Sequence, residues 1–177
     1  AKDHGRWADV DGRAGAAEAA AHLRALGHER IGYLGWSDGS PVGKDRRVGW
    51  AQALCLSGDQ EPELAVEVED TVDDGAAGMA ELLSRGATAV VCASDTLSLG
   101  AFTVIRRRGG SRQCIIGFDN TPVARELGLS SMAQPVDEVA ATVLDMVLAQ
   151  IADPAVELEG VLIAPALVAR QGSALTG

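Results

Sequence analysis

Two carboxylates carry the first chemical signal in this chain. Asp95 and Asp119 each stand at the end of a short apolar run, Thr88-Ala-Val-Val-Cys-Ala93 and Cys114-Ile-Ile-Gly-Phe118. The first run is rich in β-branched residues and too brief for a helix, so it reads as a strand, and the second as its apolar counterpart. Between them, Leu97, Leu99, Gly100, Ala101, Val104 and Ile105 are the apolar and small positions of a helix. Arg106, Arg107 and Arg108 suit its negative end, and Gly109-Gly110 stop it. Such a strand–helix–strand unit puts Asp95 and Asp119 at one edge of a parallel sheet, where open α/β folds bind ligands. Asp95 reads most simply as the cap of the helix, with Ser94 before it. Asp119 has no such use, because the next helix is expected only from about Val123. A carboxylate there can accept hydrogen bonds from vicinal hydroxyls or face a cationic or amide group.

Other groups expected at the same edge are fewer. Arg46 lies one residue inside a helix predicted over Asp45–Leu56, while the adjacent Arg47 points elsewhere on it. Trp36 opens a Gly/Ser/Pro loop, 36–44, where ligand-binding loops sit. By residue type alone, Arg46 is a solvated helix residue, and Trp36 and Trp50 belong to the core.

Enzymatic readings find little. Gly39-Ser-Pro-Val-Gly43-Lys44-Asp45 has one residue too few between its glycines for a phosphate loop, and Asp45 stands where a magnesium-binding hydroxyl belongs. No G-x-G-x-x-G follows a strand and there is no G-x-S-x-G. His4, His22 and His28 fall in a ragged terminus, a helix and a turn, away from strand ends. No catalytic residue, metal site or cofactor is therefore expected.

The positioning elements follow from periodicity and breakers. Asp9–Gly12 looks like the end of a strand, and Ala14–Leu26 is an alanine-rich helix stopped by Gly27. Ile31–Gly35 is a strand, Ser57–Pro62 a break, and Leu64–Glu69 an edge strand alternating valines with acids. Asp73-Asp74 cap a helix running to about Ser84. After Asp119, a loop leads through Leu129–Met132 to Gln134-Pro135, and Val136–Ile151 forms a helix with one clean apolar face. A turn at Pro154, an apolar segment over 156–164 and a tail over 167–173 complete the chain. Strands alternate with helices from residue 31 to 118, which predicts an α/β fold with a doubly wound parallel sheet flanked by helices.

Composition bounds the rest. The 177 residues are 47% hydrophobic but only 3% aromatic, so the core must be built from Ala, Val, Leu and Ile. Fifteen basic against 25 acidic residues give a formal net charge of −10, the wrong sign for a chain that grips nucleic-acid phosphates itself. Cys55, Cys92 and Cys114 lie inside predicted elements and read as buried, reduced thiols. With no apolar run near membrane-spanning length and no signal peptide, the expected location is cytoplasmic.

Taken in order, six stretches resemble the effector-binding core of the LacI/GalR family of bacterial transcription regulators. They are Val10–Ala16 leading into Ala21–Gly35, Arg46–Leu54, Ala87–Ala101, Ile116–Asn120 and Leu129–Pro135. The resemblance covers nearly the whole chain. It implies a periplasmic-binding-protein-like core, two α/β subdomains around a cleft that takes a small effector, a sugar or nucleoside. It also implies that Arg46, Asp119, Ser94, Asp95 and Trp36 line that cleft. Ser94 stands where the family usually has Asn, and the aromatic the family often carries near Asp70 or Thr71 is absent.

The same resemblance implies that the helix-turn-helix headpiece and most of the first subdomain are missing. Residues 1–177 would then be an effector-binding and dimerisation core fragment or truncated product. Residues 28–131 form its main, carboxyl-side α/β subdomain, and 1–27 and 134–160 are remnants of the other lobe. Their helices need another partner, so a homodimer is expected, with Leu99, Phe102 and Leu127 at the interface. DNA would be met only through the absent headpiece, and membranes not at all. The alternatives are a solute-binding receptor lobe of a sugar transporter and a small doubly wound enzyme using Asp119 and Asp95.

Overall fold

The computed structural model describes residues 6–56, 63–109 and 114–170. The expected break at 57–62, Gly110 and the end of the tail lie outside them. In chain order the elements are β1 (Ala8–Val10), α1 (Gly12–Ala25), β2 (Ile31–Trp36), α2 (Pro41–Ala53), β3 (Ala65–Val68), α3 (Val72–Ser84) and β4 (Ala89–Cys92). There follow α4 (Asp95–Arg107), β5 (Cys114–Phe118), α5 (Pro122–Glu126), β6 (Ser130–Ala133), α6 (Val136–Ala152), β7 (Val161–Ile163) and β8 (Ala166–Val168).

Six strands form one sheet in the order β3-β2-β4-β5-β6-β8. The first five are parallel, and β8 adds antiparallel to β6. The parallel expectation thus holds for the centre of the sheet. It missed two strands, because Ser130-Ser131-Met132-Ala133 is too polar to read as an apolar run and β8 is only three residues long. A separate two-stranded pair joins β1 to β7.

Both faces of the sheet are covered, as neighbouring side chains in a strand reveal. In β2, Tyr33 meets Trp50 of α2 at 5.5 Å between ring centroids, whereas Leu34 packs under Gly78 of α3. In β5, Gly117 faces Asp95 and Ser98 of α4, while Phe118 faces Gly15 of α1. α1 and α2 therefore cover one face, α3 and α4 the other. Within each pair the backbones touch. A Cβ on Gly49 would sit 2.0 Å from the Arg13 carbonyl oxygen, and one on Gly100 2.1 Å from that of Val72.

Several local expectations are corrected. α2 starts at Pro41, because Ser40 caps it by accepting from the Gly43 N–H and proline suits the first helical position. Thr71, rather than the Asp73-Asp74 pair, caps α3, leaving the two acids in the favourable first turn. Ser94 caps α4; Asp95 is that helix's first residue and its carboxylate is used elsewhere. Cys55 is exposed because α2 has ended and the chain reverses there with φ +56°, whereas Cys92 and Cys114 are buried as expected.

The two flanking helices part company. Ala16, Ala19, Ala20 and Leu23 of α1 are buried in the main core, so this helix needs no outside partner. α6 has no buried residue, and Leu144, Leu148 and Ile151 stand exposed along it.

Candidate functional site

The carboxyl ends of β2, β4 and β5 converge on Arg46. Lengthening of α2 back to Pro41 puts Arg46 more than a turn inside the helix, with its side chain 5% exposed. Its Nη1 donates to the carbonyl of Ala93, just past β4, and Nη2 lies 4.0 Å from Asp119 Oδ1. The guanidinium carbon is 3.7 Å from the Phe118 ring centroid and 5.0 Å from that of Trp36. Weakly hydrated and planar, a guanidinium tolerates such aromatic cover better than an ammonium. Gly12 makes room, since a Cβ there would be 3.2 Å from Arg46 Cγ. Burial pushes the Arg46 pKa down, and Asp119 is the foremost charge opposing that shift. Two donors here, Arg46 Nε and Trp36 Nε1, are buried without a partner among the described residues.

Asp119 sits in an unusual backbone conformation, φ +106°, right after β5. Its N–H donates to the Met132 carbonyl at 2.9 Å and its Oδ1 accepts from Gln134 Nε2. Partial burial raises its pKa. The Gln134 hydrogen bond and Arg46 work against that rise, and Asp95 and Asp70 add to it. A carboxylate that is costly to ionise and still one-third exposed is poised to take a donor from a ligand.

Asp95 has a different task. Its Oδ2 accepts from the Thr121 N–H at 2.6 Å and its Oδ1 from Ser131 Oγ at 2.7 Å. Ser131 Oγ in turn accepts from the Asn120 N–H at 2.9 Å. Two consecutive N–H groups after Asp119 are thus tied to one buried carboxylate–hydroxyl pair. Gly117 permits it, because a Cβ there would be 2.3 Å from Asp95 Oδ1. Arg170 braces the same loop, donating to Asn120 Oδ1 at 2.6 Å and to the Leu129 carbonyl at 2.6 Å.

Trp36 is half-buried at the rim rather than core, unlike Trp50, which is fully buried with its indole N–H on the Ile31 carbonyl. Trp36 lines an open pocket of about 220 Å³ with Asp38, Val68, Glu69 and Asp70. Ser94 reaches this wall through its hydroxyl, which donates to Asp70 Oδ1 at 2.6 Å.

Arg46, Asp119 and Trp36 are therefore brought together, with Ser94 beside the pocket and Asp95 behind the Asp119 loop. Gln134, Asp70, Thr121, Ser131 and Arg170 escaped the sequence reading. Gln134 and Ser131 were within reach of it, both lying in Leu129–Pro135; the others are brought to the site only by folding. Of the expected interface residues, Leu127 is exposed and Leu99 half-buried. Phe102 is turned into the core, with the Arg106 guanidinium 5.7 Å from its ring. Among the described residues, no group of three or more His, Cys, Asp or Glu is placed to hold a metal.

Comparison with known proteins bears on the family and the fold. Residues 20–173 match the periplasmic binding protein-like domain family. The HTH-type transcriptional regulator CelR of Thermobifida fusca is 31% identical over 160 residues, 84% of this chain and 47% of that protein. The HTH-type transcriptional regulator GalR of Escherichia coli is 34% identical over 171 residues, 91% of this chain and 49% of that one. The chain thus spans about half the length of the curated relatives it matches. A LacI-family regulatory protein from Chloroflexus aggregans superposes with a TM-score of 0.87 at 32% identity, covering 100% of this chain and 66% of the other. A CelR–cellobiose complex does so with a TM-score of 0.84 at 26% identity, over 97% of this chain and 55% of that one. These relatives are transcriptional regulators, not enzymes, and the enzyme alternative built on Asp119 and Asp95 gains nothing from them. The chain belongs to the periplasmic binding protein-like domain family, and its homologues are regulators of the LacI/GalR family.

Proposed function

We propose that this chain is a small-molecule-sensing core of a bacterial LacI-type transcription repressor. The observation that carries the reading is the Arg46–Asp119 pair. It sets a buried cation and a partly open carboxylate side by side at the carboxyl edge of the sheet, under Trp36. Such a pair offers a neutral ligand donors and an acceptor at once, which suits a sugar or nucleoside. The relatives support that class, since one solved structure holds cellobiose and another ribose.

In this reading the site residues are Arg46, Asp119 and Trp36, with Ser94 at the pocket wall and Asp95 as support. The six-stranded unit is one lobe; β1, β7 and α6 belong to a second lobe across the cleft. A ligand bridging the lobes favours one interlobe angle, and a homodimer passes that preference to DNA-binding units. DNA contact belongs to a helix-turn-helix unit rather than to these acidic residues, and the regulator works in the cytoplasm. No helix among the described residues is long and apolar enough to cross a membrane.

The test is an NMR titration of the 15N-labelled protein with neutral sugars and nucleosides, which detects dissociation constants even in the ~1 mM range. Saturable shifts of the Trp36 indole N–H and the Asp119 amide are expected with at least one ligand, and their loss in Asp119→Ala. Turnover of any ligand, or binding that Asp119→Ala and Arg46→Ala leave intact, contradicts the proposal.

A further inference from the structure

Asp70 leaves the edge strand β3 at the same end of the sheet as Ser94 and Asp119. It sits two residues past Val68 and directly before Thr71, the cap of α3. Its relation to Ser94 changes what each can offer a ligand. The single Ser94 hydroxyl proton goes to Asp70 Oδ1 at 2.6 Å, and its oxygen already accepts from the Leu97 N–H at 3.1 Å. A hydroxyl has one proton to give, so Ser94 has no donor left for a ligand. Asp70 is fixed by one oxygen and exposed, and its Oδ2 has no hydrogen bond among the described residues. The polar atom presented at this corner therefore belongs to Asp70.

The surroundings sharpen the chemistry. Asp70 shares the pocket of about 220 Å³ with Trp36, Asp38, Val68 and Glu69. Asp38 and Glu69 repeat its arrangement, each held by one carboxylate oxygen, Asp38 on the Ser40 N–H at 2.8 Å and Glu69 on Ser37 Oγ at 3.0 Å. Arg46, the cation buried beside the pocket wall, is already faced by Asp119 and lies within the electrostatic reach of Asp70 and Asp9. Negative charge is in excess on this side, and carboxylates accept hydrogen bonds but do not donate them.

We infer that Asp70 is a specificity-determining residue of this site, accepting a hydrogen bond from a ligand hydroxyl or ammonium and turning away anionic ligands such as sugar phosphates. The inference rests on the small-molecule reading above. A charge-assisted hydrogen bond rewards the donor, and an unpaired like charge against the same wall penalises the phosphate.

The experiment is the NMR titration extended to matched series in the wild type and Asp70→Asn. Glucose, galactose and ribose are run with their amino and phosphorylated counterparts, adenosine and cytidine against their 5′-monophosphates. Asparagine keeps an acceptor for Ser94, and the amide spectrum reports that the fold is kept. In the wild type, the neutral or amino member is expected to bind about tenfold tighter than its phosphorylated partner, and Asp70→Asn to remove most of that gap. An amino member tighter than its neutral parent identifies the ammonium as the donor, and equal affinity identifies a hydroxyl; either supports the inference. Phosphorylated ligands binding as tightly as neutral ones, or a gap that Asp70→Asn leaves unchanged, overturn the role of Asp70 alone. Silence of the Trp36 and Asp119 signals with every member overturns the small-molecule reading and this inference together.

Discussion

The guanidinium carbon of Arg46 lies 3.7 Å from the centroid of the Phe118 ring, and the next residue, Asp119, is the carboxylate that Arg46 faces. One dipeptide at the end of β5 thus supplies both the apolar cover and the counter-charge of a buried cation. Sheet alternation allows it, since Phe118 turns towards α1 while the chain leaves the strand at Asp119.

Removing that cation should cost stability as well as binding. Arg46→Ala leaves the Ala93 carbonyl without its donor and Asp119 without its counter-charge, and a loss of about 3 kcal/mol is expected in urea denaturation. Arg46→Lys should recover only part of it, because an ammonium cannot reproduce the planar fork over Phe118.

The backbone of Asp119 carries strain that can be measured separately from its charge. Asp119→Gly and Asp119→Ala both delete the carboxylate, but only glycine adopts φ +106° freely. The Gly variant is expected to be about 1 kcal/mol more stable than the Ala variant, with ligand shifts lost in both. Equal stabilities would remove the strain.

Asp119 also predicts a pH dependence. Its folded-state pKa is raised above the reference value of 3.8, mainly by burial. Just above that reference the folded protein holds a proton that the unfolded chain has released, so this group's contribution to stability falls as pH rises. It levels once Asp119 is ionised in both states. The wild-type minus Asp119→Asn stability difference, followed by urea denaturation from about pH 4 to about pH 7, should decline through that window. A rising difference contradicts the assignment.

Asp95 should behave as a loop anchor. Asp95→Ala strips acceptors from the Thr121 N–H and Ser131, at an expected cost of about 2 kcal/mol. Hydrogen exchange at Asn120 and Thr121 should quicken more than in β4. Gly117→Ala, which forces a Cβ against Asp95 Oδ1, should produce the same exchange signature.

The apolar face of α6 should matter for association and not for folding. Ile151 is 73% exposed, so Ile151→Lys is expected to change stability by less than about 0.5 kcal/mol. In light scattering, the same variant should weaken self-association. A wild-type monomer at high micromolar concentration would remove the dimer proposal.

Local residue pattern was enough to set the alternation of elements and the edge where chemistry could occur. Apolar runs at 88–93 and 114–118 and the helical stripe between them were legible because strand and helix periods differ and are local. Asp119 stood out for the same reason, as a carboxylate after a strand with no helix to cap. Tertiary structure decided how each polar group is used. Whether Ser94 or Asp95 caps α4 depends on Thr121 and Ser131, which reach Asp95 only when β6 pairs with β5. Whether α1 needs a partner depends on α2 crossing it at Gly49, a contact between distant residues that composition cannot announce. Arg46 reads as a solvated helix residue until Ala93, Phe118 and Asp119 surround it, because burial of a charge is a property of what folds around it.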